Sequence, residues 1–181
     1  YRLTPAIRER LSGVHQRLPD GRLEARPFEA PQRPEDFLGG GGLYGTAGDY
    51  VRFIRMILNK GALDGVRVLE AETVDDMSRN HIGDLAAGVV KTANPEMSFD
   101  GDFFPGMRCG WGLTFLINPA DVPGRRSGGS LTWAGLRNTY FWIDPRRQVG
   151  GTIMTQLLPF ADPKVLGLYE AFEREVYKAV A

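Results

Sequence analysis

The sequence predicts an α+β fold, in which an antiparallel β-sheet is flanked by helices. Apolar residues recur at helical spacing in the first part of the chain and again near its end. Between these parts, after residue 109, short runs of aromatic and branched residues alternate with turn signals. Because the connections between these runs are too short for parallel crossovers, we expect the strands to form an antiparallel meander. Helices, then strands, then a covering helix is an order typical of α+β proteins.

Two segments of the first half are predicted to be poor in regular structure. Residues 1–38 are polar and punctuated by prolines, which indicates loop with one short strand over residues 22–25. Residues 82–109 are rich in glycine and are predicted as a long irregular loop. A loop of that length in a compact domain is usually functional or mobile.

Two helices are predicted in the first half. Thr46 is a favourable N-cap residue, and Asp49, three positions later, is an acidic partner in the first turn. Apolar residues follow at helical spacing until Gly61, where the helix is expected to end. A second helix is predicted over residues 71–80.

The second half is predicted to hold the sheet and the helix that covers it. Residues 1–109 are then part of a helical region with cleft-lining loops, and residues 110–181 form the sheet with its C-terminal helix. Four strands are predicted, over residues 110–117, 131–135, 138–144 and 150–156. The helix after Pro163 is expected to face the sheet with four apolar residues, namely Val165, Leu168, Phe172 and Val176.

Charge and composition exclude several functional classes. Lys plus Arg and Asp plus Glu both number 22, so the chain has no net charge and no basic surface for nucleic acid. No apolar run approaches the ~20 residues of a membrane span, so no membrane partner is expected. The single cysteine, Cys109, is compatible with a cytoplasmic or a periplasmic location. His15 and His81 have no metal-ligand spacing, so neither a metal nor another cofactor is expected.

A complete set of catalytic residues is absent from the sequence. There is no G-x-S-x-G nucleophile elbow, and no serine is followed by lysine three positions later. The predicted strand over residues 131–135, however, ends at Gly135 between two other strands. An inner strand that ends without a bulky side chain can present backbone N–H groups to an oxyanion. From the residue chemistry alone, an ordinary strand with a glycine bulge is the favoured explanation of the same residues.

Five segments, in their order and spacing, resemble one family. Residues 39–50 (GGGGLYGTAGDY) resemble the G-G-G-L-x-S-T-A-x-D-Y segment that opens a helix in class C-like serine hydrolases, and residues 59–69 resemble the stretch after it. Residues 110–113 resemble the segment with which the sheet of these enzymes begins. Residues 132–145 resemble the strand that carries their third motif, Lys-Thr-Gly, and the strand after it. Residues 155–160 are similar to the esterase-like and acyltransferase-like branch. The chain therefore resembles the penicillin-recognising enzymes, above all the family VIII carboxylesterases related to class C β-lactamases.

This resemblance implies the C-terminal portion of a β-lactamase/transpeptidase-like fold, with the active site between a sheet and a helical region. In such enzymes a serine forms an acyl-enzyme, while a lysine and a tyrosine handle its proton. These residues precede the matched region, so we expect the chain to be one half of a longer hydrolase and inactive alone. Ser78-Arg79-Asn80 and Lys91-Thr92-Ala93 imitate the Ser-x-Asn and Lys-Thr-Gly motifs, but their contexts mark them as chance matches.

The resemblance also assigns one wall of the site. Trp133, Ala134 and Gly135 occupy the place of the Lys-Thr-Gly motif. The backbone N–H of Leu136, the next residue, is then expected to be one oxyanion donor. The second donor is expected to come from the serine itself, outside this chain.

Five further residues are candidates for binding the substrate. Gly41, Gly42 and Leu43 are expected in a loop that lines the cleft opposite this strand. Phe104 and Trp111 are candidates for an apolar pocket that takes the acyl or alcohol group, although such aromatic residues more often belong to the core.

Trp133 favours an ester over a β-lactam as the substrate. The lysine of β-lactamases offers a charged donor to the substrate carboxylate, whereas Trp133 offers an apolar face and one indole N–H. The loss of such a bond costs about 1.5–3 kcal/mol, or about tenfold or more in binding. Arg137 is a candidate replacement cation, but neighbouring strand residues point to opposite faces.

The leading hypothesis is therefore a serine carboxylesterase or an acyl-transferring relative. A β-lactamase or D-Ala-D-Ala peptidase fragment is an alternative, and so is a non-catalytic fragment or binding module. The expected partners are a small ester or β-lactam substrate and the missing N-terminal part of the same protein. A homodimer is also compatible with the sequence, because a half-domain exposes a sheet edge and apolar surface.

Overall fold

The computed structural model describes residues 3–37 and 39–180. Tyr1, Arg2 and Leu38, within the segment predicted as loop, and Ala181 lie outside the described residues. The elements in chain order are α1 (Pro5–Arg8), β1 (Val14–Arg17), β2 (Leu23–Arg26), α2 (Ala47–Leu58), β3 (Ala62–Leu63), β4 (Val66–Arg67), α3 (Ala71–Met77), β5 (Val89–Val90), β6 (Gly101–Asp102), β7 (Gly110–Trp111), β8 (Leu116–Ile117), β9 (Leu131–Gly135), β10 (Thr139–Asp144), β11 (Val149–Met154), β12 (Leu157–Leu158) and α4 (Pro163–Ala179).

The main sheet is an antiparallel meander, which confirms the predicted α+β class. Its five strands lie in the order β11-β10-β9-β8-β7, so every strand pairs with its neighbours in the chain. The prediction of a single strand over residues 110–117 is wrong, because β7 and β8 form a tight hairpin there. The chain reverses at Gly112, whose N–H donates to Phe115 O at 2.7 Å. Gly112 also packs directly against the backbone oxygen of Met77 at the end of α3.

A second sheet contains structure where mostly loop was predicted. β1 and β2 form an antiparallel hairpin, and β1 also pairs in parallel with β12 from the far end of the chain. The predicted strand over residues 22–25 corresponds to β2, whereas α1 and β1 were missed. The residues of β1 are mostly polar and show no strand pattern, and one of its two partner strands lies about 140 residues later.

Helix α2 begins as predicted and packs on the main sheet. Thr46 is its N-cap and forms a capping box with Asp49, whose backbone N–H donates to Thr46 Oγ1 at 3.1 Å. The helix packs against β10 and β11. Gly150 on β11 permits the close approach, because a Cβ there would lie 2.6 Å from Ile54 Cγ2. Helix α3 ends three residues earlier than predicted, because Ser78 is its C-cap and bonds back to Val74 O.

Helix α4 covers the other face of the sheet, with Val165 buried and Val176 packed against the cluster as predicted, but two of the four predicted residues are exposed. Leu168 and Phe172 are 54% and 39% exposed. The buried positions follow an i, i+4 row instead: Val165, Tyr169, Glu173 and Tyr177. Aromatic stacking selects this row, since the rings of Tyr140 and Tyr169 lie 5.0 Å apart. The charge of Glu173 is tolerated inside because two arginines pair with it.

Elements from both halves of the chain share cores and sheets, as the contacts of α2 with β11 and of β1 with β12 illustrate. The proposed division at residue 109 stays a prediction. Residues 82–109 are largely irregular, apart from the short antiparallel pair β5 and β6. Within residues 3–37 and 39–180, no helix combines the length and apolar character needed to cross a membrane.

Candidate active-site wall

The end of strand β9 leads into an exposed turn that carries the candidate oxyanion donor. Three residues, Leu136, Arg137 and Asn138, connect β9 to β10, and Gly135 pairs with Thr139 on either side of them. Asn138 has φ +57°, the left-handed conformation that closes a three-residue hairpin loop. Leu136 is 50% exposed. In the part of the chain that the structure describes, its backbone N–H donates to no acceptor.

Trp133, Trp111 and Phe103 form a group of aromatic rings on one face of the sheet, here called the aromatic edge. Its ring meets Trp111 in a T-shaped arrangement with centroids 4.5 Å apart, and it meets Phe103 at 5.7 Å. Trp133 and Trp111 are both half-buried, so part of this edge faces solvent. Trp133 and Phe103 also line a small pocket together with Thr132. The arrangement offers an apolar surface near the end of β9.

Ala134 faces away from Trp133, whereas Phe104 packs in the same cluster and lines the same small pocket as Trp133 but is more deeply buried. Ala134 packs on the opposite face of the sheet, against the cluster that α4 covers. Phe104 is 6% exposed, and the guanidinium of Arg126 lies over its ring at 5.4 Å. The surface of Phe104 is therefore largely taken up by the protein's own core, whereas Trp111 reaches the surface beside Trp133.

Gly135 has a structural reason to be glycine. A Cβ at this position would lie well inside van der Waals contact with Thr139 Oγ1 on the paired strand. Every other residue type would have to push the Thr139 side chain aside. The bare backbone at the end of β9 thus follows from cross-strand packing as well as from any need to admit a ligand.

We expect Gly135→Ala to destabilise the chain by about 0.5–1.5 kcal/mol, because the Thr139 side chain has to leave its position to make room. Thr139→Ala removes the obstructing oxygen, so Gly135→Ala should cost clearly less in the Thr139→Ala background. Urea unfolding of both single variants and the double variant measures this coupling. Equal costs in the two backgrounds would show that Thr139 does not exclude a side chain at position 135.

The glycine loop before α2 is exposed. Gly41 and Leu43 are exposed and Gly42 is half-buried, and Gly42 has φ +96°, which favours glycine. The next residue, Tyr44, accepts a hydrogen bond from the Ala30 N–H at 3.0 Å. The loop is therefore tied to the preceding segment through Tyr44.

Arg137 lies in the turn rather than in a strand, and its guanidinium is covered. It sits 3.7 Å from the centre of the Phe28 ring, and its Nε is buried without an acceptor among the described residues. Burial lowers the pKa of Arg137, and the nearby Tyr44 opposes this shift in part. The cation is therefore engaged by an aromatic ring.

A buried ionic network near this wall was not anticipated from the sequence. Arg126 and Glu173 are both fully buried, and Arg126 Nε donates to Glu173 Oε1 at 2.7 Å. Arg126 Nη2 donates to Glu173 Oε2 and to Tyr169 Oη, both at 2.7 Å. Arg125 adds a second cation to the same carboxylate. The adjacent Arg125-Arg126 and the late glutamates are the only sequence signal for it.

The lone cysteine and the histidines have no catalytic arrangement. Cys109 is buried, and desolvation together with the charge of Asp102 raises its pKa to about 11, so the thiolate is scarce at neutral pH. His81 Nε2 lies 2.7 Å from Asp76 O at the end of α3, and His15 lies on β1. These positions agree with the structural roles that the sequence indicates.

Fold and sequence together define the class of protein. The antiparallel meander with α2 on one face and α4 on the other is the C-terminal part of a β-lactamase/transpeptidase-like fold. The chain belongs to the Beta-lactamase family, whose model matches residues 1–174.

Comparison with known proteins identifies relatives within this family. The acyltransferase calJ of Penicillium decumbens is 27% identical over 176 residues, which cover 96% of this chain and 41% of the relative. The lovastatin esterase of Penicillium rubens is 31% identical over 146 residues, covering 77% of this chain and 35% of the relative. The simvastatin synthase of Aspergillus terreus, in its LovD6 mutant, superposes with a TM-score of 0.80 at 26% identity, covering 97% and 44% of the two chains. The chain thus spans less than half the length of these relatives.

Proposed function

We propose that this chain forms the sheet wall of the active site of a serine hydrolase that cleaves carboxylic esters through an acyl-enzyme. The observation that carries the proposal is the N–H of Leu136, which lies at the exposed end of the inner strand β9 and is not engaged by the described residues. Because the relatives are more than twice as long, the nucleophilic serine is assigned to a region outside residues 1–181.

The proposed chemistry needs a donor where negative charge develops. The serine Oγ attacks the ester carbonyl carbon, and the carbonyl oxygen becomes an oxyanion in the tetrahedral intermediate. The Leu136 N–H donates one hydrogen bond to this oxygen, and the N–H of the serine donates the second. The intermediate then expels the alcohol and leaves the acyl group on the serine. A preorganised donor of this kind is worth about 10²–10³ in rate.

The aromatic edge favours an uncharged, apolar substrate. Trp133 and Trp111 present ring surface near the turn, where a β-lactamase has a lysine. The guanidinium of the nearby Arg137 is engaged by the Phe28 ring, so it is less available to a substrate carboxylate than that lysine. An ester with an apolar acyl or alcohol part therefore fits this wall better than an anionic β-lactam, so the β-lactamase and peptidase alternatives are disfavoured.

Transfer of the acyl group to an alcohol is a second candidate outcome for the same acyl-enzyme. It is favoured by the names of two relatives, an acyltransferase and a synthase, that match almost the whole of this chain. Hydrolysis and transfer share the acylation step and the Leu136 donor, and they differ only in whether water or an alcohol accepts the acyl group.

We expect the 181-residue chain to show no hydrolysis of para-nitrophenyl butyrate, because no Ser-x-x-Lys nucleophile motif is present in it. A longer polypeptide that joins this chain to the preceding region of its own coding sequence is expected to hydrolyse the ester, and to turn over a β-lactam more slowly. Butyrate ester formation with an added alcohol distinguishes transfer from hydrolysis. Hydrolysis by the 181-residue chain itself, purified and verified by mass, would place the nucleophile within it and refute the proposal.

A further inference from the structure

We infer that Asn138 is a positioning residue, which holds the turn after β9 so that the Leu136 N–H points away from the sheet and toward the substrate. The inference rests on the proposed function and deepens it. Asn138 contacts no candidate ligand surface itself, because its side chain is fully buried. It acts on Leu136 through the backbone of the turn that the two residues share.

The backbone conformation of Asn138 closes the turn. Its φ of +57° lies in the left-handed region, which asparagine adopts more readily than most non-glycine residues. A three-residue loop needs this conformation at its last position to bring the chain back into register. The pairing of Gly135 with Thr139 shows that the register is kept.

The side chain of Asn138 uses its whole hydrogen-bonding capacity to anchor the turn. Nδ2 donates to Leu157 O at 2.9 Å and to Pro159 O at 2.7 Å. Oδ1 accepts from the Tyr140 hydroxyl at 2.7 Å and from the Asp162 N–H at 3.1 Å. An amide side chain has two donors and two acceptor lone pairs, so all four are satisfied. The turn is thereby fastened to β12 and to the start of α4.

The carbonyl groups of the turn are also bound by the segment around β12. Thr155 Oγ1 lies 2.9 Å from both Arg137 O and Asn138 O, and the Leu157 N–H donates to Arg137 O at 3.2 Å. These bonds engage the second and third residues of the turn. Among residues 3–37 and 39–180, the N–H of Leu136, the first residue, donates to no acceptor, and neither do the N–H groups of Arg137 and Asn138.

A turn whose carbonyl groups are bound while the Leu136 N–H stays unengaged is suited to an oxyanion donor. A donor lowers the barrier most when it is fixed in place before the reaction, so that no reorganisation is needed at the transition state. A misplacement of about 1 Å is worth about 10²-fold in rate. An asparagine that served the stability of the fold alone would change the unfolding midpoint without a selective change in kcat.

The test compares variants of the longer, ester-hydrolysing polypeptide with para-nitrophenyl butyrate as the substrate. Asn138→Gly keeps the left-handed turn and removes all four side-chain bonds. Gln148→Gly is the matched control, because Gln148 also has a left-handed φ in a hairpin turn, that between β10 and β11. Thr155→Val, which removes only the hydroxyl, serves as the second variant and keeps the test decisive if Asn138→Gly does not fold. Leu136→Pro reports on the donor itself.

We expect Asn138→Gly to lower kcat by about tenfold to 10²-fold with KM changed by less than about twofold, and Thr155→Val to lower kcat by about threefold or more. Gln148→Gly should leave both constants unchanged, and each assay is run well below the variant's melting temperature. If Leu136→Pro lowers kcat while Asn138→Gly and Thr155→Val do not, the inference is wrong and the proposed donor stands. If Leu136→Pro has no effect, the proposed function fails, and the inference fails with it.

Discussion

Leu136→Pro in the longer polypeptide is expected to lower the rate of acylation by about 10²–10³, the value of one oxyanion donor. Proline has no backbone N–H, so the substitution deletes the proposed donor and nothing else from the backbone. The turn should tolerate it, because Leu136 is the first of the three loop residues, where the type I turn of such a loop favours proline. Single-turnover measurement of butyryl transfer to the serine reports the step directly.

Leu136→Ala is the matched control for this prediction. It removes a half-exposed side chain but keeps the N–H, so the acylation rate should stay within a few-fold of the unsubstituted enzyme. Both variants should unfold at a similar urea concentration. An acylation rate in Leu136→Pro equal to that in Leu136→Ala would show that the oxyanion is held elsewhere.

Glu173→Gln is expected to lower the free energy of unfolding by about 3–5 kcal/mol. Arg126 is fully buried, and its Nε and Nη2 both donate to the Glu173 carboxylate at 2.7 Å. Glutamine has no charge, so the substitution leaves the buried Arg126 cation uncompensated. Urea unfolding, with the midpoint and slope fitted separately, measures the change.

Glu175→Gln on the same helix is the control. Glu175 pairs with Lys178 at 2.7 Å, but both side chains are 69% exposed, and such pairs contribute less than about 1 kcal/mol. A similarly small effect of Glu173→Gln would mean that water reaches Arg126 and that the network is not buried in solution.

The pH dependence of stability gives a further check on Glu173. Burial alone would raise the pKa of its carboxyl, but the bonds and charges of Arg126 and Arg125 outweigh this effect and hold the pKa below its ordinary value of 4.5. A carboxyl with a lowered pKa contributes its stability above the unfolded value and loses it as the pH falls through the folded value. The difference in stability between the unsubstituted protein and Glu173→Gln should therefore be constant above about pH 5 and shrink below about pH 4.5.

Elements defined by neighbouring residues could be predicted closely. The start of α2 follows from the Thr46 and Asp49 capping pair, and β9 follows from a branched and aromatic run that ends at Gly135. Each of these signals acts within a few residues, so no knowledge of distant partners is needed. The meander order follows for the same reason, since short connections join adjacent antiparallel strands.

Elements defined by distant partners could not be predicted in this way. The buried row of α4 includes Glu173 because Arg126, 47 residues earlier, neutralises it, whereas apolar spacing alone favours Leu168 and Phe172. Strand β1 is mostly polar, so its residues give no strand pattern, and its pairing with β12, about 140 residues later, could not be read from the sequence.

The same distinction between local and distant interactions applies to the candidate site. The amino-acid order alone determined that a glycine-ended inner strand carries Trp133 and precedes Leu136, and that no nucleophile motif accompanies it. Only the folded chain decided that Phe104 lies beneath Arg126, that Arg137 is covered by Phe28, and that Asn138 anchors the turn. The reason is physical: propensities and caps are local, whereas the burial of a ring and the satisfaction of a buried amide depend on groups that only folding brings together.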